Sequence, residues 1–155
     1  MNADFKDKRV LITGGTKGMG AATLQLMLER GARVATTARA AASSLPAGVH
    51  FIAADLRTRA GTDTVIREAL ASLGGVDILI NNVGGSTAAG GGALALDDDA
   101  WEDALNGNLL AAVRLDRALL PAMVARQYGV IISRRSSAAC RCTIRRWRMQ
   151  PPRLR

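Results

Sequence analysis

Histidine, cysteine and tyrosine are scarce in this 155-residue chain: one His, two Cys and one Tyr, with aromatic residues only 3% of the whole. His50 stands alone, and the Cys-x-Cys at Cys140 and Cys142 has no second ligand pair, so no metal is expected and the thiols are read as free in a reducing compartment. No apolar run approaches the roughly 18 residues of a membrane span, and residues 1–12 lack the continuous apolar stretch of a secretory leader. The expectation is a cytoplasmic protein that meets no membrane. Acids are missing in one place. The net charge of +8 suggests nucleic acid, yet residues 1–133 hold 13 basic and 13 acidic side chains, while 134–155 hold eight arginines and no acid. The basic character is therefore a property of the tail. With Trp147 as that tail's only aromatic for base stacking, nucleic-acid binding ranks far behind the other readings.

Glycine is plentiful, and the stretch that organises the rest is Thr13 to Gly20, TGGTKGMG. It follows the apolar run Val10-Leu11-Ile12 and precedes Ala21, Leu24, Met27 and Leu28 at helical spacing, so it reads as strand, glycine turn, helix. Gly14, Gly18 and Gly20 let the backbone come close to a ligand, and the helix start leaves unpaired N–H donors with a partial positive charge, a site that suits a pyrophosphate. Strands and helices then alternate: strands over 34–38, 50–54, 76–80 and 129–132, a helix over 60–73 stopped by Gly74-Gly75, and a long helix from Asp97-Asp98-Asp99 to about Gln127. The glycine and alanine rich segment 84–96 is a loop. Strands separated by helices pair in parallel through right-handed crossovers. The expected fold is α/β, a doubly wound, Rossmann-like parallel sheet of about five strands that binds ligands at the strands' carboxyl ends.

TGGTKGMG after the first strand, Ala54-Asp55-Leu56 after the third, Asn81-Asn82-Val83-Gly84 after the fourth and Asn108 in the long helix together resemble the classical short-chain dehydrogenases/reductases, over residues 6 to about 132. The resemblance implies an NAD(P)-dependent oxidoreductase with Gly14, Gly18 and Gly20 under the pyrophosphate, and Thr16, Lys17 and Met19 of the same loop among the cofactor-binding residues. It further implies that Asp55 accepts a hydrogen bond from the adenine amino group with Leu56 beside the ring, and that Asn82 and Gly84 line the ribose and nicotinamide path. Asn81 would hold neighbouring strands together, and Asn108 would hold a water of the proton relay. Asn108 sits in an apolar helical stripe of Trp101, Leu105, Ala112, Leu115 and Leu119, where an unbonded amide would cost about 1 to 3 kcal/mol. Pro121 should bend the same helix.

Coenzyme preference follows from charge. An acid that binds the adenosine ribose diol is expected about 20 residues past Gly20, at the end of the second strand; Ala38 stands there, Arg39 follows, and Lys17 lies in the glycine loop. Two cations without an opposing carboxylate favour a 2′-phosphate, hence NADP over NAD.

The chemistry that the resemblance calls for is missing. A serine after the fifth strand and a Tyr-x-x-x-Lys pair should follow, but the sole tyrosine is Tyr128, before that strand, and the lysines are Lys6, Lys8 and Lys17. Ser136 falls where a serine is expected, but Arg134 and Arg135 stand in place of apolar and small neighbours, so it is assigned no role. Rebuilding codons from the third base of one tail residue and the first two of the next permits Ala-Tyr-Ala-Ala-x-Lys over residues 147–153. The tail, 134–155, is thus expected to be a frame-shifted, non-native stretch on a Rossmann domain spanning 1–133. The sequence expectation is an NADP-dependent short-chain oxidoreductase, truncated and inactive as this chain. The alternatives are a non-catalytic dinucleotide-binding module and, last, a nucleic-acid arm. A small-molecule substrate in intact relatives and a homo-oligomer complete the expectation.

Overall fold

The computed structural model describes residues 4–40, 45–85 and 95–133, together with the backbone of 143–145. Ser136, Cys140, Cys142 and Trp147 lie outside these residues, as does 86–94 of the expected loop.

Strand β1 (Arg9–Thr13) leads into helix α1 (Gly18–Glu29), followed by β2 (Arg33–Ala38), β3 (His50–Ala53), α2 (Arg59–Leu73) and β4 (Ile78–Asn81). Next comes a continuous helical rod, α3 (Asp98–Leu105), a π-helical turn Asn106–Leu110 and α4 (Ala111–Ala125), and then β5 (Val130–Ser133) and β6 (Thr143–Arg145). The sheet order is β3-β2-β1-β4-β5-β6, with the first five strands parallel and the order reversing between β1 and β4. Val10, Leu11 and Ile12 are each 0% exposed. A central parallel strand is covered on both faces, which is why its sequence is an unbroken apolar run.

Side chains alternate across the sheet, giving two cores. On one face Leu11, Ala35, Ile52 and Leu79 meet Val65, Ala69 and Leu73 of α2 and Leu115, Leu119 and Met123 of α4. On the other, Val10, Ile12, Val34, Ile78 and Ile80 meet Leu24 and Met27 of α1. At the amino ends of the strands, away from the glycine loop, Arg9 binds Asp77 by Nη2 to Oδ1 (2.6 Å), Nε to Oδ2 (2.9 Å) and its backbone N–H to Oδ2 (3.1 Å). The Arg9 guanidinium holds the Asp77 carboxyl below the usual carboxylate range, against the opposing effect of burial.

The tail's sequence shows no strand periodicity, yet β6 within it pairs antiparallel with β5, Ile132 opposite Ile144 and Ser133 opposite Thr143. An edge strand offers free N–H and C=O groups to any extended backbone, and that pairing needs no side-chain pattern. The long helix, read as one α-helix with one apolar face, contains the π turn, whose extra residue rotates the face. Leu115 and Leu119 are buried whereas Trp101 and Leu105 are half exposed, and Asn108, expected inside an apolar stripe, is exposed. Asp97 does cap α3 as read, its Oδ1 accepting from the Ala100 N–H at 2.9 Å, and α4 runs through Pro121.

Candidate functional site

The loop after β1 is stitched to the loop after β4. Thr13 Oγ1 accepts from the N–H groups of Asn82 (2.9 Å) and Val83 (3.0 Å), and Asn82 Nδ2 donates to the carbonyls of Thr13 (3.0 Å) and Gly14 (3.1 Å). Asn82, expected to face a ligand, thus commits its amide donors to the protein. Beneath the loop Thr36 Oγ1 accepts from the Gly15 N–H at 3.0 Å and donates to the Ile12 carbonyl at 2.8 Å. A Cβ on Gly15 would overlap the Thr36 hydroxyl, and one on Gly20 would overlap the Gly14 carbonyl. Sequence reading singled out Gly20 and missed Gly15, whose reason lies on another strand.

Helix α1 begins with Lys17 as an N-cap residue that makes no side-chain cap, and its first turn holds no acid. The N–H groups of Gly18, Met19 and Gly20 therefore lack intrahelical acceptors at the positive end of the helix.

A cavity of about 800 Å³ opens beside the glycine loop at the carboxyl ends of the strands. It brings together Gly14, Thr16 and Lys17 from the glycine loop, Thr37, Ala38 and Arg39 from the end of β2, and Ala54, Asp55, Leu56 and Arg57 after β3. Asn82 to Gly85 form another side, and Asp99, Ala100, Asp103, Ala104 and Gly107 of the helical rod form the far wall. Gly18, Met19 and Gly20 stand at the start of α1 outside the lining, and Asn108 lies behind it. The Asn108 side chain clamps Gly85: its Oδ1 accepts from the Gly85 N–H and its Nδ2 donates to the Gly85 carbonyl, both 2.8 Å, with a further 2.8 Å bond to the Ala104 carbonyl.

Asp55 is not free. Arg57 donates to it from Nη2 (2.6 Å to Oδ2), Nε (3.1 Å to both oxygens) and its backbone N–H (3.0 Å), holding the Asp55 carboxyl below its ordinary range, with Arg39 contributing at longer reach. Behind β4, Asn81 Nδ2 donates to Asp116 Oδ1 (2.9 Å) and to Ser133 Oγ (3.4 Å), tying α4 and β5 to the sheet. Burial raises the Asp116 carboxyl. Among the described residues no cluster of three or more His, Cys, Asp or Glu could hold a metal, and no helix is long and apolar enough to cross a membrane.

Residues 8–146 match the short chain dehydrogenase family. The chain belongs to that family. The short-chain dehydrogenase match runs past residue 133, the domain boundary expected from composition. The chain is 35% identical over 141 residues to the Probable galactose dehydrogenase GalD of Rhizobium meliloti, covering 84% of this chain and 54% of that protein. Among solved structures it resembles an NADH-dependent reductase A1-R′ responsible for alginate metabolism, at 25% identity and TM-score 0.75, covering 84% of this chain and 59% of that one. It also resembles L-sorbose reductase from Gluconobacter frateurii complexed with NADPH and L-sorbose, at 30% identity and TM-score 0.74, covering 86% and 54%. The chain spans about half the length of the curated relatives it matches.

A nicotinamide dinucleotide fits this short-chain dehydrogenase cavity on two observations. The α1 N-terminus is uncapped by any side chain, and the Thr37 hydroxyl, fully buried in a residue that lines the cavity, has no hydrogen-bond partner among the described residues.

Proposed function

We propose that this short-chain dehydrogenase chain binds NADP in preference to NAD and, with the residues it has, holds the coenzyme without turning it over. The observation that carries the preference is that Lys17 and Arg39 line one cavity with Ala38, where a ribose-binding acid would stand. The N–H groups of Gly18, Met19 and Gly20 would receive the pyrophosphate, with Gly14 and Thr16 beneath it, and Lys17 and Arg39 the 2′-phosphate. Asp55 and Leu56 would meet the adenine, and Gly84 the path to the nicotinamide. A bound nicotinamide would supply the hydride when a carbonyl on a small molecule is reduced, and accept it when an alcohol is oxidised, as in the family's reaction.

The chain's own part is to bind and orient. Its sequence has no Tyr-x-x-x-Lys pair, and among the described residues the titratable groups lining the cavity are Lys17, Arg39, Asp55, Arg57, Asp99 and Asp103. A positioned proton donor is worth about 10²–10⁴ in rate, so its loss alone removes most turnover. The working unit in this reading is residues 1–133 in a cytoplasmic protein, with 134–155 a frame-shifted stretch; the coding DNA across codons 125–155 decides that point. Association of copies through the helical rod, where Trp101, Leu105 and Leu109 are about half exposed, belongs to the same proposal.

Titration of the coenzymes' fluorescence tests it. NADPH should saturate and bind more tightly than NADH, and replacing Lys17 and Arg39 together by Ala should cost NADPH roughly tenfold in affinity while leaving NADH within about twofold. Equal affinity for the two coenzymes would overturn the preference. Turnover of a carbonyl substrate by this chain would overturn the holding role.

A further inference from the structure

Resting on the coenzyme reading above, we infer that Arg57 is the positioning residue of the cavity's adenine end, a fork that fixes the Asp55 carboxylate and ties it across the cavity to α3. Asp55 and Arg57 belong to the turn after β3, while Asp103 and Gly107 belong to the opposite, helical wall. Arg57 Nη2 and Nε hold Asp55, and Nη1 reaches Asp103, 3.0 Å to Oδ1 and 3.1 Å to Oδ2. One guanidinium thus joins the two walls. Its planar set of donors suits this double engagement of carboxylates, which an ammonium group cannot reproduce.

The rest of Arg57 is held as well. Its carbonyl accepts from Arg114 Nη1 at 3.1 Å, and Arg114 Nη2 in turn donates to Asn106 Oδ1 at 2.8 Å, at the start of the π turn. Its stem passes Gly107, where an added Cβ would lie 3.4 Å from Arg57 Cγ. The guanidinium, the backbone and the stem of one residue therefore contact both walls.

Charge gives the arrangement a second role. Among the described residues the cavity lining carries three cations, Lys17, Arg39 and Arg57, against three carboxylates, Asp55, Asp99 and Asp103. Removing Arg57 leaves the lining with a net negative charge of one facing a ligand that bears phosphates, and releases Asp55 from its orientation. Both effects weaken the adenosine half of the coenzyme and spare the nicotinamide half.

The experiment titrates the full chain with NADPH, 2′,5′-ADP and reduced nicotinamide mononucleotide, using calorimetry. Arg57→Met keeps the stem and removes the fork. It should weaken NADPH and 2′,5′-ADP about tenfold or more while the mononucleotide stays within about twofold. Arg57→Lys, which keeps the charge but cannot engage both carboxylates at once, should cost about two- to threefold on the same two ligands. The acid limb of 2′,5′-ADP binding should move to higher pH in Arg57→Met, because Asp55 then titrates without its cation. Unchanged 2′,5′-ADP affinity in Arg57→Met, or in Arg57→Lys should the first variant not fold, overturns the assignment. So does an equal loss for the mononucleotide. If the unaltered chain fails to bind NADPH, the coenzyme reading itself falls, a result distinct from binding that ignores Arg57.

Discussion

Replacing Gly20 by Ala separates the steric role of the glycine loop from its role as a set of N–H donors. The new Cβ overlaps the Gly14 carbonyl and crowds Asn82 Nδ2, so either the loop or the Asn82 amide must move. Asn82 Nδ2 makes two bonds, to the carbonyls of Thr13 and Gly14, each worth about 1 kcal/mol net. Overpacking against backbone adds roughly 1–3 kcal/mol, and the better helix propensity of Ala returns less than about 1 kcal/mol at a first-turn position. The sum is a destabilisation of about 2–4 kcal/mol, or roughly 4–16 °C in melting temperature for a domain of this size. NADPH affinity should fall at least tenfold, since the displaced Gly14 lines the cavity where the proposed phosphate cradle lies. Gly18→Ala is the control. Gly18 has φ +52° with no atom within 4 Å of an added Cβ, so the change should cost only the strain of that backbone, about 1 kcal/mol. Thermal melting and NADPH titration of the two variants side by side give the answer. Gly20→Ala indistinguishable from Gly18→Ala in both measurements would refute the crowding argument.

Asp77→Ala strips Arg9 of its carboxylate at the opposite end of the sheet, where the two side chains are 23% and 11% exposed, and should lower stability by about 2–3 kcal/mol in urea unfolding at pH 7. The folded Asp77 carboxyl titrates below the unfolded value of about 3.9, so its contribution is complete above that pH and is lost as pH falls through the folded value. The gap between wild type and variant should therefore close on the acid side only; a gap constant from pH 7 to pH 3 would contradict the ion-pair account. Asn108→Ala removes the clamp on Gly85 and should weaken NADPH by about three- to tenfold with little change in melting temperature, because the lost bonds are exposed. A large loss of stability with unchanged NADPH affinity would show that Asn108 serves the helical rod instead.

What could be seen in the sequence was whatever depends on short-range pattern. The β1 run, the glycine turn, the Asp97 cap and the Gly74-Gly75 stop are each written in a few consecutive residues, and the alternation of strands and helices then leaves few topologies for a parallel sheet. What could not be seen depends on which strand lies next to which. The need for glycine at 15 comes from Thr36, 21 residues on, and the engagement of Asp55 comes from Arg57 acting with Asp103, 46 residues further along. A basic residue two positions after a strand-end acid was a readable hint of that pairing. The π turn had no such hint, because Asn106-Gly107-Asn108 fits an α-helical periodicity until the phase of Leu115 and Leu119 is compared with that of Trp101 and Leu105. The turn lifts Asn108 out of the buried stripe and onto Gly85, which lines the cavity. Sequence reasoning thus found the polar residue in the helix but assigned it the wrong surroundings, since one extra residue in a turn decides which face an amide occupies. The same dependence applies to Arg57, whose link to Asp103 and contact with Gly107 both require the rod in that phase. The Asp55 side of the cavity is therefore shaped by a helical irregularity as much as by the glycine loop, and substitutions that restore regular α-helix at residues 106–110 should disturb both Asn108 and Arg57 together.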